Sequence, residues 1–423
     1  MNKSSLNKLP LKNLFRLDTT SFLPASQPEQ AFLHHSIPAW DESNGPVVEL
    51  GNTIGSNKFL ISHACVLVSK LNPRKSRVSV VRDLHDEFPQ CASTEFMVYV
   101  PIHEDVDIGF YSWYMKSECF QSELEKVATG TTNSHVRVTP KETLNWKIAY
   151  PPLSEQRRIA EILDTIDEAI QKTEALILKL KAMKQGMLHD LLTRGLDKNG
   201  KLCDPKAHPE QFKDSPFGLV PVDWDVVNLG VLSTLVTSGS RGWASLYSDQ
   251  GALFLRIGNL TRDHVNLRLD NVRYVLPPPT AAEGKRTRVG EGDLLISITA
   301  DLGIIGVIPD GLGDAYVNQH IALVRLDRKN ANPYWVANYL AFGGSQKQFY
   351  MLNDQGAKAG INLPTVESLL VAVPEVQEQD RIAALIAVHD VRIRTEEHYR
   401  DKLKLQKKGL MHDLLTGKVK VKV

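Results

Sequence analysis

The sequence has few features of a secreted, membrane-spanning or disulfide-stabilised protein. Only 4 cysteines occur among 423 residues (Cys65, Cys91, Cys119 and Cys203), and none of them forms a C-x-x-C pair. No run of 18 apolar residues is present, and the first 17 residues lack an apolar signal core. These absences predict a cytoplasmic protein with reduced thiols.

The net charge is close to zero, and the sequence motifs of two common classes of enzyme are absent. Lys+Arg number 50 and Asp+Glu 49, which gives a net charge of +1; a local basic face could still bind phosphates. The sequence contains no G-x-x-x-x-G-K-[ST] phosphate loop and no F-x-G-x-G with N-P-P-[FY] of an adenine methyltransferase. We therefore expect no catalytic residue and no metal ligand in this chain.

What the chain does have is a long internal repeat. The segment 151–193 returns at 374–416 with a constant offset of 223 residues and no gap, and about 19 of the 43 aligned positions are identical. The repeat predicts a duplicated chain in which each globular domain is followed by one long helix. The predicted segments are a domain at 1–150, a helix at 151–194, a linker at 195–221, a domain at 222–373, a helix at 374–416 and a tail at 417–423.

The repeated segment has the pattern of a coiled-coil helix. Its apolar residues recur at alternating intervals of four and three, sustained over more than four heptads in the first copy. A helix of about 37 residues reaches roughly 55 Å, so we predict that the two helices pair as an antiparallel coiled coil. In the second copy His389, Glu396, Arg400 and Lys407 interrupt the seam, and the pairing there is expected to be imperfect or shaped for a partner. The predicted coiled-coil and partner-docking residues are Ile159, Leu163, Ile166, Ile170, Ile177, Leu180, Met187, Ile382, Ile386, Ile393, Leu403 and Leu410.

The two domains differ in sequence but share landmarks. Gly292–Ser297 corresponds to Ala64–Ser69, and Val317–Arg325 corresponds to Cys91–Tyr99. Short β-branched runs alternate with turn formers and helical stretches, so the expected fold class is α/β (α+β) with an internal pseudo-two-fold duplication. The first fifty residues give no clear opening strand.

Three basic clusters are candidates for DNA contact, because Lys and Arg bind phosphates and Arg can read base edges. A solvated basic surface is the competing interpretation of each cluster taken alone. The occurrence of such clusters in both domains of a duplicated chain favours binding. The candidate residues are Lys70, Arg74, Lys75 and Arg77 in the first domain, and Ser240, Arg241, Trp243, Arg286 and Arg288 in the second.

The chain resembles the specificity subunit of type I restriction-modification systems, and the resemblance covers nearly all of it. The matching segments are Pro151–Ala160, Lys213–Pro221 before Trp224, Ser69–Pro73, Gly239–Ala244, Asn318–Leu323 and His412–Gly417. The resemblance implies two target recognition domains, each reading one half of a two-part DNA sequence, and helices that serve as spacer and docking site. It also implies two methyltransferase and two restriction subunits as partners, which would bind S-adenosylmethionine, ATP and magnesium in place of this chain.

The expected function is therefore that of a non-catalytic DNA reader. Each domain would enter the major groove of one half-site, and the helix pair would fix the gap between the half-sites. Because the domains differ, the target should be asymmetric, and a partner would flip out one adenine per half-site for methylation. Two other functions stay open: a coiled-coil scaffold that binds protein and not DNA, and a fused nuclease or methyltransferase with unrecognised motifs.

Overall fold

The computed structural model describes residues 7–43, 45–84, 87–130, 136–239, 241–276, 282–352 and 360–422. The chain divides into two units, which we call unit 1 (Met1–Ala175 with His398–Val423) and unit 2 (Leu176–Glu397). Both divisions fall inside the two long helices, so each unit contains half of each helix. Within the described ranges, no helix is both long and apolar enough to cross a membrane.

The two halves of the chain end in the same order of elements, namely three short helices, a strand and one long helix, and differ in the order before them. The first half contains β1 (Lys8–Pro10), β2 (Phe15–Asp18), β3 (Ser21–Phe22), β4 (Ala31–His35), α1 (Ile37–Ser43), β5 (Val47–Leu50), β6 (Lys58–Ile61), β7 (Cys65–Ser69), β8 (Val78–Val81), β9 (Gln90–Ser93), β10 (Phe96–Pro101), α2 (Ile108–Lys116), α3 (Glu118–Val127), α4 (Pro140–Thr143), β11 (Lys147–Ala149) and α5 (Leu153–Arg194). The second half contains β12 (Phe212–Ser215), β13 (Gly218–Pro221), β14 (Asp225–Asn228), β15 (Ser233–Ser238), β16 (Tyr247–Ser248), β17 (Ala252–Leu255), β18 (Tyr274–Val275), α6 (Ala282–Thr287), β19 (Leu294–Ser297), β20 (Ile305–Val307), β21 (Ala315–Val317), β22 (Ile321–Leu326), α7 (Pro333–Ala341), α8 (Gly343–Met351), α9 (Leu363–Glu367), β23 (Leu370–Val373) and α10 (Val376–Leu415).

The two units repeat one sheet topology. An antiparallel four-stranded sheet has the order β2-β10-β7-β8 in unit 1 and β15-β22-β19-β20 in unit 2. A second sheet in each unit contains one parallel pair, β4 with β9 and β17 with β21. Before each long helix, a two-stranded sheet joins β1 to β11 and β14 to β23. The α/β expectation for two duplicated domains is confirmed.

One expectation about the N-terminal region is wrong. The described part of the first fifty residues, 7–43 and 45–50, contains five strands, and β2 pairs with β10 at the edge of the four-stranded sheet. These strands are only two to five residues long and include charged residues such as Arg16 and Asp18. Strands so short leave no run of alternating apolar residues long enough to recognise in a sequence.

A glutamine repeated in both helix copies connects each long helix to its own globular domain. Gln156 is fully buried; its side-chain oxygen accepts from the N–H of Asp107 at 2.8 Å, and its nitrogen donates to the carbonyls of Asp105 and Pro151. Gln379, also fully buried, accepts from the N–H of Asn332 at 2.8 Å and donates to the carbonyls of two other residues. Asp107 and Asn332 are the N-caps of α2 and α7, so the repeated glutamine fixes where each cap meets its long helix.

Within each unit, the start of one long helix packs against the end of the other. In unit 1, Ile159 and Leu163 share a hydrophobic cluster with Leu414; in unit 2, Ile382 shares one with Leu191. The antiparallel pairing that the sequence predicts is therefore present in both units. Of the predicted seam residues, Ile166, Met187 and Leu410 are partly buried, and the others are buried, namely Ile159, Leu163, Ile170, Ile177, Leu180, Ile382, Ile386, Ile393 and Leu403.

Ion pairs connect the two helices. Two of them involve Lys184 and Lys407, the lysines that interrupt the apolar seam in the sequence. In unit 2, Lys184 binds Asp390 at 2.5 Å and Lys181 binds Glu397 at 2.7 Å. In unit 1, the residues at the same offset of 223 form the equivalent pairs: Lys407 binds Asp167, and Lys404 binds Glu174. Imperfect pairing is therefore not found at Lys407, because its ammonium meets a carboxylate of the opposite helix. Arg400, another interrupting residue, pairs with Asp401 of its own helix.

Candidate nucleic-acid interface

At one end of the four-stranded sheet, each unit carries the loop of a β-hairpin. In unit 1 the loop 70–77 connects β7 to β8, and in unit 2 the loop 298–304 connects β19 to β20. We call these loops the unit 1 hairpin loop and the unit 2 hairpin loop. The last residues of the strands before them, Ser69 and Ser297, pair with the first residues of β10 and β22. The correspondence of Ala64–Ser69 with Gly292–Ser297 that the sequence predicts is therefore confirmed.

Both hairpin loops are strained at the same position. Asn72 has φ 45° and Ala300 has φ 61°, and they are the two non-glycine residues with positive φ among the described residues. Each lies three residues after the serine that ends the preceding strand. Left-handed backbone is costly for residues with a Cβ and clusters at ligand-contacting sites. Asparagine tolerates this conformation better than alanine, so the cost is larger at Ala300. The shared backbone geometry makes this end of each sheet the candidate functional end.

The unit 1 hairpin loop is held by a carboxylate from α1. Asp41 accepts from Arg77 through Nε at 2.7 Å and Nη2 at 2.9 Å, and its Oδ1 lies 2.8 Å from the Lys75 ammonium. The Arg77 guanidinium, foremost, and Lys75 hold the pKa of Asp41 well below its usual range. Arg77 is 7% exposed, so it shapes the loop and is not available as the DNA contact that the sequence suggested. Lys70 is partly buried, whereas Arg74 and Lys75 are exposed at the loop's tip.

An Asp41→Asn variant should lose about 1 kcal/mol of unfolding free energy at pH 7, a value reduced for solvent screening because Asp41 is exposed. The carboxyl pKa is lowered in the folded state, so its contribution is complete above the unfolded-state pKa of about 4. It is lost as pH falls through the folded-state pKa. The stability difference between parent and variant should therefore shrink below about pH 4. Urea unfolding at several pH values checks this, and a difference that grows on acidification would contradict it.

In unit 2, two residues that the sequence suggested as DNA contacts make contacts within the fold. Arg286 donates to Thr237 Oγ1 at 2.7 Å and to the Ser238 carbonyl at 2.6 Å, which fixes the end of β15. Trp243 is 5% exposed, and its ring stacks on Phe254 with centroids 5.7 Å apart. Trp243 therefore supports the loop after β15 from inside the fold. Arg286 also fixes the end of β15, but its side chain is exposed.

The other residues of unit 2 that the sequence suggested as DNA contacts are Arg288, Arg241 and Ser240. Arg288 forms an exposed ion pair with Asp314, and Arg241 is exposed in the loop after β15. Ser240 lies outside the described residues. Gly239, which precedes it, approaches the chain so closely that a Cβ would lie 1.9 Å from the Asn318 carbonyl oxygen. This approach places the loop after β15 against the connection between β21 and β22.

A polar cluster at the unit 2 hairpin loop was not among the sites predicted from the sequence. Arg262 binds Asp301 at 2.5 Å, the Leu302 carbonyl at 2.7 Å and the Gln346 side chain at 3.0 Å. Thr299 of the same loop is 2.7 Å from Nδ1 of His320. The partners are up to 84 residues apart in the chain, so no local motif signals the cluster.

The long helices expose a second kind of surface. In unit 1, a cleft of about 1170 Å³ is lined by residues of both helices, including Glu174, Lys404 and Leu405, and by Lys116. Burial lowers the pKa of Lys116, whose ammonium lies 4.4 Å from the Trp113 ring centroid. In unit 2, α10 exposes Leu385, Val388 and Val391 at 46%, 67% and 54%. Apolar exposure on this scale is typical of protein contact surfaces.

The part of the chain that the structure describes contains no group of three or more His, Cys, Asp or Glu side chains placed to hold a metal ion. The polar clusters at the two hairpin loops consist instead of guanidinium, amide, hydroxyl and single carboxylate groups. Such groups are suited to hydrogen bonding with phosphates and base edges.

Comparison with known proteins gives a family match over most of the chain. Residues 56–182 and 221–405 match the family described as "Type I restriction modification DNA specificity domain". The type I restriction enzyme MjaVIII specificity subunit of Methanocaldococcus jannaschii is 25% identical over 317 residues, which are 74% of this chain and 70% of that protein. The EcoKI specificity subunit of Escherichia coli K12 is 23% identical over 325 residues, covering 73% of this chain and 64% of that protein.

Solved structures share the fold. A type I restriction-modification S subunit from M. genitalium superimposes with a TM-score of 0.62 at 14% identity, over 98% of this chain and 97% of that one. A chain from a structure of a type I R-M system has a TM-score of 0.53 at 19% identity, over 99% of this chain and 100% of that one. The duplicated two-domain architecture is therefore shared along the whole length of these chains.

Proposed function

Because the chain belongs to the type I restriction modification DNA specificity family, we propose that it is the DNA-reading subunit of a type I restriction-modification complex, with one half-site for each unit. It is the recognition component and not a catalyst. The observation that carries the two-half-site proposal is the pair of strained hairpin loops, at equivalent positions but with different chemistry. Unlike loops read unlike sequences, so the target is two-part and asymmetric.

The unit 1 hairpin loop supplies Arg74 and Lys75 at its tip, and Asp41 fixes its conformation. Exposed cations of this kind contact phosphates and position the protein on the duplex. In unit 2, Arg241 follows β15, close to where the chain connects β21 to β22. We propose that Lys70, Arg74, Lys75, Arg241 and Arg286 contribute phosphate or base contacts, whereas Arg77 and Trp243 support the loops that carry such contacts.

The proposed partners are two methyltransferase subunits and two restriction subunits. The helix surfaces support docking: α10 exposes an apolar stripe in unit 2, and a cleft beside both helices opens in unit 1. We propose that S-adenosylmethionine, ATP and magnesium are bound by these partners. The flipped adenine of each half-site would enter a methyltransferase subunit, because this chain supplies recognition and not chemistry.

The decisive experiment is a single-molecule methylation map of DNA from cells that express the chain together with its methyltransferase partner. We expect methyladenine at an asymmetric two-part motif with a fixed gap, and none at that motif in cells lacking the chain. The control is a strain that expresses the partner alone. If the partner is shown to be bound and no motif is methylated, the proposal fails, and a protein-binding scaffold becomes the better account.

Extending both helices should widen the gap between the half-sites and leave their sequences unchanged. Seven residues inserted into each helix, after Ala175 and after Glu397, add one heptad and keep the seam in phase. At about 1.5 Å per residue they lengthen each helix by roughly 10 Å, or about 3 base pairs at 3.4 Å each. The same methylation map measures the gap, and an unchanged gap would rule out the helices as its determinant.

A further inference from the structure

We propose that Arg262 determines specificity in unit 2 by donating to a base edge of its half-site. This inference rests on the proposed function and adds to it a residue outside the basic clusters that the sequence displays. Three observations carry it: the equivalence of the two hairpin loops, the way in which Arg262 is held, and the exposure of its guanidinium.

The two hairpin loops are equivalent in position but not in charge. The unit 1 hairpin loop contains its own cations, Arg74 and Lys75 at the tip among them, whereas the unit 2 hairpin loop reads Ile-Thr-Ala-Asp-Leu-Gly-Ile and has none. Arg262 comes from the segment after β17 and meets this loop at Asp301 and at the Leu302 carbonyl. The fold thus brings a cation to a loop that lacks one, beside the strained residue Ala300.

The Arg262 guanidinium is held by three acceptors. Nη2 donates to Asp301 Oδ1 at 2.5 Å and to the Leu302 carbonyl at 2.7 Å, and Nη1 donates to Gln346 Oε1 at 3.0 Å. Gln346 is itself fixed, because its nitrogen donates to the carbonyls of Gly303 and Leu340 at 2.9 and 2.7 Å. A guanidinium has five N–H groups, so two of them remain as donors, one on Nε and one on Nη1, on a side chain whose position is already set.

The exposure of this cluster argues for a role in recognition. The Arg262 and Asp301 side chains are 42% and 61% exposed, and an ion pair so accessible to water contributes little to folding. A pre-positioned side chain, in contrast, loses little entropy when it binds. Guanine offers the acceptors O6 and N7 in the major groove, which arginine contacts more often than any other base edge. A guanine is therefore the expected base.

The side chains beside the unit 2 hairpin loop are also hydrogen-bonding groups. His320 lies 2.7 Å from Thr299 through Nδ1 and 2.9 Å from the Gln319 amide nitrogen through Nε2. Hydroxyl, amide and imidazole groups thus surround the loop that Arg262 contacts. Amide and hydroxyl groups bind base edges as well as phosphates, so a base that Arg262 contacts would meet further donors and acceptors beside it.

The test compares methylation motifs of the full chain, expressed with its methyltransferase partner, for the parent, Arg262→Gln and Arg262→Lys. We expect both variants to relax the preference for one G·C pair in one half-site by about 5- to 150-fold. Lysine keeps the charge but lacks the planar group that Asp301, Leu302 and Gln346 hold in place, so it should not restore the preference. Arg328→Gln is the matched control, because Arg328 is exposed and follows β22 at the opposite end of the sheet; it should leave the motif unchanged.

The outcomes separate the possible explanations. An unchanged motif in both Arg262 variants overturns the inference, and so does a uniform loss of methylation without relaxation at any base pair, which would mark a phosphate contact. Melting temperatures close to that of the parent identify variants that fold normally, and Arg262→Lys provides a second variant if glutamine disturbs the loop. If the parent itself yields no two-part motif, the proposed function fails, independently of Arg262.

Discussion

An Asp390→Ala variant is expected to lose about 3–5 kcal/mol of unfolding free energy, because it leaves the Lys184 ammonium buried without its carboxylate. Both side chains of this ion pair are only 5% exposed. The remaining acceptor of the ammonium is the Asp263 carbonyl at 3.1 Å, which cannot neutralise the charge. Urea unfolding of the full chain, together with hydrogen exchange of the helix amides in unit 2, measures the loss.

The duplication supplies the matched control for this variant. Asp167, at the equivalent place in unit 1, binds Lys407, and these side chains are 26% and 24% exposed. Water can solvate the remaining ammonium, so Asp167→Ala should cost only about 1 kcal/mol or less. The double variant Lys184→Met/Asp390→Leu should recover most of the stability lost in Asp390→Ala, because it removes both charges. Equal costs for Asp390→Ala and Asp167→Ala would contradict this account.

A Gly239→Ala variant is expected to abolish recognition of the unit 2 half-site. The added Cβ would lie 1.9 Å from the Asn318 carbonyl oxygen and 2.2 Å from that of Val317, both of them backbone atoms. The chain must shift at the end of β15 and at the connection to β22, which displaces both segments from their places beside the hairpin loop. Losing two or more contacts worth about 1–3 kcal/mol each, or at least about 2 kcal/mol in total, lowers methylation at the motif by about 30-fold or more.

Gly258→Ala is the control for that variant, because a Cβ at Gly258 meets no heavy atom within 4 Å. It should leave the methylation motif and its extent unchanged. Overpacking at Gly239 should also cost about 1–3 kcal/mol of stability, so melting curves accompany the methylation maps. Normal methylation by Gly239→Ala would show that the loop after β15 takes no part in reading DNA.

The long helices are the part of the fold that the sequence predicts best. Their repeat extends over 43 positions, and the helices begin and end within two residues of the repeated segments. The ion pairs between the helices could not be predicted from the repeat. Lys184 and Lys407 interrupt a seam when one helix is considered alone; only the pairing of two antiparallel helices brings them opposite Asp390 and Asp167.

The candidate interface is harder to predict, because a basic residue in a sequence does not reveal what its charge will meet. Arg77 meets Asp41, which lies 36 residues away, and Arg286 meets the end of β15, 48 residues away. Arg262 stands without a neighbouring cation in the sequence and reaches its loop only through the fold. Local patterns pointed to the unit 1 hairpin loop and to the loop after β15 but not to the unit 2 hairpin loop, and which cation faces outward depends on tertiary contacts.

The unequal burial of the two equivalent ion pairs makes the two ends of the helix pairing differ in how easily they open. Around Lys184 and Asp390 the helices separate only by hydrating a buried charge pair, whereas around Lys407 and Asp167 water already reaches both groups. We therefore expect local opening of the helix pair to occur more often in unit 1, beside the cleft formed with Lys404 and Leu405. The unit 1 end of the pair would then adjust to a bound partner, while the unit 2 end keeps its packing.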